Sequence, residues 1–343
     1  MGTRRRRVSV IYFISKLVKW DDLRMEIISN PTQDEIKKAA QALKDGHLVA
    51  FPTETVYGLG ADATNKKAVN QIYSVKGRPT GHPLIVHISS INQLDKWAID
   101  IPEYAIKLAS EFWPGPMTLI LKRSGLAKDY ITGGQSNVGL RVPSQPIALA
   151  LLAEFENNGG LGIAAPSANR FGAVSPTTAS DVSEELQAYL NRHDLILDGG
   201  QCKVGLESTI IDCTGPIPSI LRPGAITKEL INNSINIGEV ESSVKSSIRV
   251  SGSLESHYSP KATVVLDSKF DKGDGFIAMK GIPTPSGAIR LLAPKNVEEY
   301  AQYFYYALRL GDKKKLKRIK VVEPQGSGLA EALRDRIEKA AEK

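Results

Sequence analysis

Cysteine and long apolar runs are scarce in this sequence, and each scarcity argues against a class of protein. Cys202 and Cys213 are the only cysteines among 343 residues, and they form no CxxC pair. We therefore expect neither a disulfide framework nor a zinc site, and interpret both as packed thiols in a reducing compartment. No apolar stretch approaches the roughly 20 residues that a membrane span needs. The sequence thus predicts a cytoplasmic protein without membrane contact.

Positive charge is in excess mainly at the N-terminus. The formal net charge is +7, but residues 1–24 hold seven basic and two acidic residues and so account for +5 of it. The overall charge therefore does not demonstrate a nucleic-acid-binding face. Arg4–Arg7 and Val8–Ile14 are similar to the start of a signal peptide, but Lys16 and Lys19 interrupt the apolar continuation. We interpret this segment as an N-terminal extension of the folded core.

Several familiar motifs are missing as well. The sequence has no GxxxxGKS or GxxxxGKT phosphate loop, no GxGxxG fingerprint, no HExxH and no GxSxG. These absences argue against the common glycine-loop nucleotide sites, the zinc proteases and the nucleophile-elbow hydrolases. If a nucleotide binds, other residues hold it.

Apolar strands that alternate with amphipathic helices predict an α/β protein with two domains. Residues 25–230 are predicted as the larger domain, and residues 231–262 as a polar, serine-rich linker. Residues 263–343 are predicted as a smaller and mostly parallel α/β domain. At the start of the first domain, Thr32 or Asp34 is expected to cap a helix.

Polar motifs lie at predicted strand ends and in loops, where α/β scaffolds build their sites. Pro52–Gly60 is predicted as a polar turn in which Thr55 supplies a hydroxyl and the glycines allow close backbone approach. In Lys76-Gly-Arg-Pro79, the Lys76 ammonium and the planar Arg78 guanidinium suit phosphate oxygens. The alternative for this pair is a solvated basic turn.

A second group of motifs combines a buried cation with hydroxyls and amides. Arg141 interrupts the apolar strand Val138–Val142, so it needs a partner, either a structural carboxylate or the carboxylate of a ligand. Ser167, Asn169 and Ser175 follow another apolar strand, where they either cradle a phosphate or ribose or form an elaborate turn.

The remaining candidates lie further along the chain. Ser208 stands just before a predicted strand, and Arg222 ends another. His257 and Tyr258 fall within the predicted linker, where no apolar core is expected for them to pack against. We interpret this pair as a lid contact rather than as packing residues.

The order of these motifs resembles the YrdC-like, threonylcarbamoyl-AMP synthase family. The linker His257–Pro260 and the second domain resemble its longer, two-domain form. The resemblance implies a YrdC-like twisted sheet with a concave basic cleft, plus a smaller Rossmann-like α/β C-terminal domain. The motifs that carry it are Phe51–Gly60, Lys76–Pro79, Trp113–Thr118, Leu140–Pro143, Pro166–Asn169, Gly205–Asp212 and Leu221–Gly224.

This resemblance also implies an activity. The family joins L-threonine, bicarbonate and ATP into L-threonylcarbamoyladenylate and pyrophosphate. A separate tRNA threonylcarbamoyl transferase complex then forms N6-threonylcarbamoyladenosine at position 37 of tRNAs that read ANN codons. Mg²⁺ is expected on the ATP phosphates, without protein ligands, and direct tRNA contact is expected to be secondary.

The resemblance assigns roles to particular residues. The catalytic tetrad implied is Lys76, Arg78, Ser167 and Asn169. Further ATP contacts are implied for His82, Asn137, Ser175, Arg222 and Tyr258. The threonine pocket implied consists of Thr55, His87, Arg141, Ala165 and Ser208.

Two competing interpretations make different demands. An RNA-binding module without catalysis would bind with steep salt dependence and without ATP. A carbamoyl transferase with a related domain would carry zinc-finger cysteines, and this sequence lacks their spacing.

Overall fold

The described residues fold around two β-sheets, and buried apolar side chains pack against each of them. The computed structural model describes residues 25–235, 240–242, 248–252, 258–266 and 270–342. The predicted extension, residues 1–24, and His257 lie outside the described residues. The predicted α/β fold, with a large twisted sheet and a smaller parallel one, is confirmed.

The larger sheet is mixed. Its strands are β1 (Glu26–Ser29), β2 (Val49–Phe51), β3 (Gly58–Asp62), β4 (Ile85–His87), β5 (Met117–Lys122), β6 (Asn137–Arg141), β7 (Ile163–Ala164), β8 (Leu195–Asp198), β9 (Thr209–Asp212), β10 (Ser219–Arg222) and β11 (Glu241–Ser242). In the described part of the chain they follow the order β1-β8-β2-β3-β7-β4-β6-β5-β9-β10-β11. β4 runs parallel to β6 and antiparallel to β7, so three strand ends meet near the middle of the sheet.

Helices cover this sheet, and local sequence explains their ends. They are α1 (Gln33–Lys44), α2 (Lys66–Lys76), α3 (Leu94–Trp97), α4 (Glu103–Phe112), α5 (Asp129–Thr132), α6 (Pro146–Asn157), α7 (Ala179–Leu186) and α8 (Lys228–Ser234). Thr32, rather than Asp34, caps α1 and forms a reciprocal capping box with Glu35. At the C-terminal end of α2, Gly77 adopts a left-handed φ of 63°, which ends the helix directly after Lys76.

The smaller sheet is entirely parallel. It contains β12 (Thr263–Val265), β13 (Gly275–Ile277), β14 (Ile289–Leu292) and β15 (Arg318–Val321), in the order β12-β15-β13-β14. Two long helices, α9 (Val297–Lys313) and α10 (Leu329–Ala341), supply Phe304, Leu308 and Ile337 to its core. Among the described residues, no helix is both long and apolar enough to cross a membrane.

The two domains pack closely where α9 meets the segment before β9. The side-chain amide of Gln302 donates to the carbonyl of Cys202 at 3.2 Å, and Gln201 donates to the carbonyl of Gln302 at 3.2 Å. Gly205 has a φ of +76°, and a Cβ there would lie 2.5 Å from the Cα and carbonyl oxygen of Gln302. Only glycine therefore fits at this contact.

One sequence expectation about local structure is wrong. The sequence predicts a turn over Pro52–Gly60, but Gly58–Asp62 forms β3, antiparallel to β2. Glycine lowers strand propensity, which hides this strand from sequence patterns. Packing explains why glycine is present in this strand, because a Cβ on Gly60 would lie 2.8 Å from both the Phe51 ring and the Ile163 side chain.

Candidate active site

A cavity opens where β3, β4, β6 and β7 meet the linker, with about 620 Å³ of empty space that includes open solvent at its mouth. Its lining residues come from segments that are far apart in the sequence of the larger domain, and from the linker. Eleven of the fourteen predicted site residues line it: Thr55, Lys76, Arg78, His87, Arg141, Ala165, Ser167, Asn169, Ser208, Arg222 and Tyr258.

The other three predicted residues lie beside the cavity. Asn137 lines an adjoining pocket of about 300 Å³ that shares Ile85 and Ser251 with the cavity. The His82 ring packs edge-on against Phe171, which does line the cavity, with 5.3 Å between ring centroids. Ser175 is fully buried behind the wall.

Arg141 occupies one end of the cavity. Its Nη2 donates to Oε1 of Glu54 at 2.5 Å and to Oγ1 of Thr55 at 2.9 Å. The second oxygen of Glu54 accepts from the amide of Ser144 at 2.9 Å. Nε of Arg141 is buried and has no hydrogen-bond partner among the described residues. The guanidinium is thus fixed by a structural carboxylate and still has a donor free for a ligand.

His87 stands next to Arg141, because β4 and β6 pair His87 directly with Arg141. Burial, followed by the charge of Arg141, lowers the pKa of His87 to about 3. The imidazole is therefore neutral at physiological pH. Its buried Nδ1 has no hydrogen-bond partner within the described ranges.

Lys76 lies on another wall, at the end of α2. Its ammonium donates to the carbonyls of Ser167 and Asn169 at 2.6 and 2.5 Å. Burial and the neighbouring Arg78 charge lower the pKa of Lys76 well below its usual value. Asn169 is held by its own side-chain amide, which donates to the carbonyls of Arg170 and Ala173, while its buried Oδ1 has no partner in the described part of the chain.

Two guanidinium groups meet the linker. Arg222 donates from Nε and Nη2 to the carbonyl of Ser208 at 3.0 and 2.9 Å, and from Nη1 to the carbonyl of Ser251 at 2.8 Å. Arg78 donates to the carbonyl of Pro83 at 3.0 Å and to the hydroxyl of Ser251 at 3.2 Å. Burial lowers the pKa of Arg78 only to about 10, so its guanidinium stays charged at neutral pH.

Tyr258 joins the cavity to the C-terminal domain. The expectation that Tyr258 has no apolar core to pack against is wrong. Its side chain is buried at 1% exposure and stacks on Tyr305 with 5.5 Å between ring centroids. The Arg336 guanidinium lies 5.6 Å from the Tyr258 ring centre. Tyr258 is thus both a packing residue and a cavity residue.

Sequence reasoning missed Glu54, Glu207 and Ser251. Glu54 lies between Thr53 and Thr55, and Glu207 directly precedes Ser208, so both acids fall inside motifs that carry hydroxyl groups. Burial opposes ionisation of Glu207, but Arg336, Arg222 and a hydrogen bond from Ser175 lower its pKa to about 2. The sequence gives no reason to expect an acid in a basic cavity. The arginines that pair with Glu54 and Glu207, Arg141 and Arg336, lie 87 and 129 positions away.

Four cations and one acid line the cavity, which gives it a net formal charge of +3 in its described wall. This excess suits a polyanion. Among the described residues, no group of three or more His, Cys, Asp or Glu side chains is placed to hold a metal ion. The lining set is Lys76, Arg78, Arg141 and Arg222 with Glu207.

Two family models match most of this chain. A family model described as "Telomere recombination" matches residues 41–224, and one described as "Threonylcarbamoyl-AMP synthase, C-terminal domain" matches residues 226–342. The chain is 38% identical over 326 residues to threonylcarbamoyl-AMP synthase from Pyrococcus abyssi, covering 90% of this chain and 94% of that protein. The chain belongs to the threonylcarbamoyl-AMP synthase family.

Other members of the threonylcarbamoyl-AMP synthase family match over similar lengths. The Bacillus subtilis protein is 37% identical over 341 residues, covering 93% of this chain and 96% of that one. The crystal structure of P. abyssi Sua5 complexed with L-threonine matches with a TM-score of 0.82 at 36% identity, covering 92% of this chain and 97% of that chain. The predicted family membership is thus confirmed.

Proposed function

We propose that this chain catalyses the ATP-dependent formation of L-threonylcarbamoyladenylate from L-threonine and bicarbonate, with release of pyrophosphate. One observation carries the proposal: a single cavity holds Arg141 at one end, where it suits a carboxylate, and Lys76, Arg78 and Arg222 along its wall, where they suit phosphates. The reaction needs both, because an amino acid and a nucleotide have to meet.

L-threonine is proposed to bind at the Arg141 end. The free Nε of Arg141 would donate to its carboxylate, with Thr55 beside it. Neutral His87 and Ser208 supply uncharged hydrogen-bonding groups, and the Ala165 backbone lines the same wall. The L-threonine complex of the P. abyssi relative supports L-threonine as a substrate.

The ATP phosphates are proposed to lie along Lys76, Arg78, Ser167, Asn169 and Arg222. Asn137 lies where the adjoining pocket could take another part of the nucleotide, and Tyr258 closes the opposite side. In this proposal His82 and Ser175 act through their contacts with Phe171 and Glu207. Mg²⁺ enters as part of the substrate, bound to the phosphates.

The chemistry needs no covalent enzyme nucleophile. The threonine amine and bicarbonate condense to a carbamate and water. A carbamate oxygen then attacks the α-phosphorus of ATP, and the bond to pyrophosphate breaks. The cations stabilise the charge that develops on the leaving pyrophosphate, and their fixed positions supply most of the rate.

The product would be passed to a tRNA threonylcarbamoyl transferase complex in the cytoplasm, for position 37 of tRNAs that read ANN codons. An RNA-binding module without catalysis fits less well. Its cations would have to reach a nucleic-acid backbone. The four cavity cations are at most 7% exposed.

The decisive experiment measures pyrophosphate release from ATP with bicarbonate, with L-threonine, with L-serine or with no amino acid. Incorporation of labelled bicarbonate into an adenylate is followed in parallel. We expect strong stimulation by threonine and weak stimulation by serine. Pyrophosphate release that does not depend on the amino acid, or no pyrophosphate release, would contradict the proposal. Salt-dependent RNA binding without ATP would favour the RNA-binding alternative.

A further inference from the structure

Arg336, on α10 of the C-terminal domain, reaches the wall of the catalytic cavity. Its side chain is 0% exposed, and its Nε donates to Oε2 of Glu207 at 3.0 Å. Its Nη2 donates to the carbonyl of Pro223 at 2.9 Å, directly after β10. An arginine buried this deeply between two domains is fixed in one geometry.

Glu207 is the one acid among the described residues that line the cavity. It precedes Ser208, whose carbonyl is held by Arg222. The hydroxyls of Ser175 and Tyr305 donate to its two oxygens at 2.6 and 2.9 Å. Without a compensating cation, an ionised carboxylate in this wall would repel a triphosphate.

We propose that Arg336 is a positioning residue for ATP, because it neutralises and fixes Glu207 from the C-terminal domain. The wall next to Arg222 then accepts the phosphates. The inference rests on the proposed function, and it gives the C-terminal domain a part in nucleotide binding.

A second route from Arg336 to the nucleotide has to be separated from the first. Arg336 also lies over the ring of Tyr258, itself a proposed ATP contact. If Arg336 acted by holding Tyr258, the charge on Glu207 would be irrelevant. If Arg336 acts through Glu207, removing that charge compensates for the loss of Arg336.

The test therefore compares Arg336→Gln, Glu207→Gln and the double variant. Lys313→Gln is the matched control, since it removes an ion pair between the domains, Lys313–Glu184 at 2.8 Å, and does not line the cavity. The dissociation constant of MgATP is measured by isothermal titration calorimetry without threonine. KM values for ATP and for threonine are measured by pyrophosphate release.

Arg336→Gln is expected to weaken MgATP binding by at least roughly tenfold, with a smaller change in KM for threonine. The double variant is expected to regain most of this loss, and Lys313→Gln to bind ATP like the wild type. If Arg336→Gln does not fold, the double variant is compared with Glu207→Gln alone. In that background the loss of Arg336 is expected to change ATP binding less than about threefold.

Three results would overturn the proposal: unchanged ATP binding in Arg336→Gln, no recovery in the double variant, or a large loss in the Glu207→Gln background. The wild-type protein separates this proposal from the proposed function. Wild-type ATP binding without threonine-dependent pyrophosphate release contradicts the synthase activity alone, and the ratio of binding constants still decides the role of Arg336. Wild-type protein that binds no ATP contradicts both.

Discussion

Nη2 of Arg141 lies 2.5 Å from Oε1 of Glu54, and both side chains are almost completely buried. The two residues are 87 positions apart in the chain. Glu54 therefore orients the guanidinium from inside the protein and leaves its Nε for a ligand. A buried cation held in this way is suited to a carboxylate, because the fork geometry is set before the ligand arrives.

Arg141→Ala is expected to raise KM for L-threonine at least roughly 100-fold and to change ATP binding much less. The substitution removes the proposed carboxylate contact and leaves Glu54 without its cation. Threonine KM and MgATP dissociation constants are the measurements. Arg123→Ala is the matched control, because Arg123 pairs with exposed Asp129 and does not line the cavity. Equal losses for both substrates would contradict the carboxylate assignment.

Much of this site could be predicted because each motif lies at the end of a local element. Gly77, for example, ends α2 directly after Lys76. Such signals lie within a few residues of the functional group. They mark candidate residues, whereas the full set of fourteen was implied by the family resemblance, and eleven of these line the cavity.

The parts that could not be predicted depend on contacts between distant segments. Glu207 and Arg336 are 129 positions apart and belong to different domains. Tyr258 looked like a free linker residue, because its packing partner Tyr305 lies on α9. The roles of Glu207 and Tyr258 depend on their burial at the domain interface. A single sequence gives no direct measure of that burial.

Lys76 predicts a link between ATP binding and protonation. Burial and Arg78 lower its pKa in the free site, and a bound triphosphate would raise it again. MgATP binding is therefore expected to take up protons at alkaline pH, where ATP itself is fully ionised. Calorimetry in buffers of different ionisation enthalpy measures this uptake. It should be absent in Lys76→Met, and equal uptake in both proteins would assign the proton elsewhere.

His87 predicts part of the acid sensitivity of the fold. Its pKa of about 3 lies below the usual 6.5, so the unfolded chain binds a proton at this residue before the folded protein does. Stability is therefore unaffected above pH 6.5 and falls as the pH drops from 6.5 towards 3, by about 5 kcal/mol for this residue alone.

His87→Gln is expected to flatten the fall in stability across that pH range. The measurement is the free energy of unfolding in urea at several pH values, with slopes compared rather than absolute values. His193→Gln, at an exposed histidine, is the control. An unchanged slope in His87→Gln would show that His87 is not held neutral in the folded protein.

Gly205 and Gly200 offer a matched test of the domain interface. Both have a left-handed φ, +76° and +78°, so alanine at either position carries a similar backbone penalty of about 1–2 kcal/mol. Only at Gly205 would the new Cβ meet backbone of α9, 2.5 Å from Gln302, whereas no atom lies within 4 Å at Gly200. Gly205→Ala is expected to lower stability by a further roughly 1–3 kcal/mol and to weaken MgATP binding, because the wall that holds Glu207 shifts away from Arg336. Thermal unfolding and ATP titration of the two variants separate the steric contact from the backbone strain, and equal behaviour of both would mean that the interface yields at little cost.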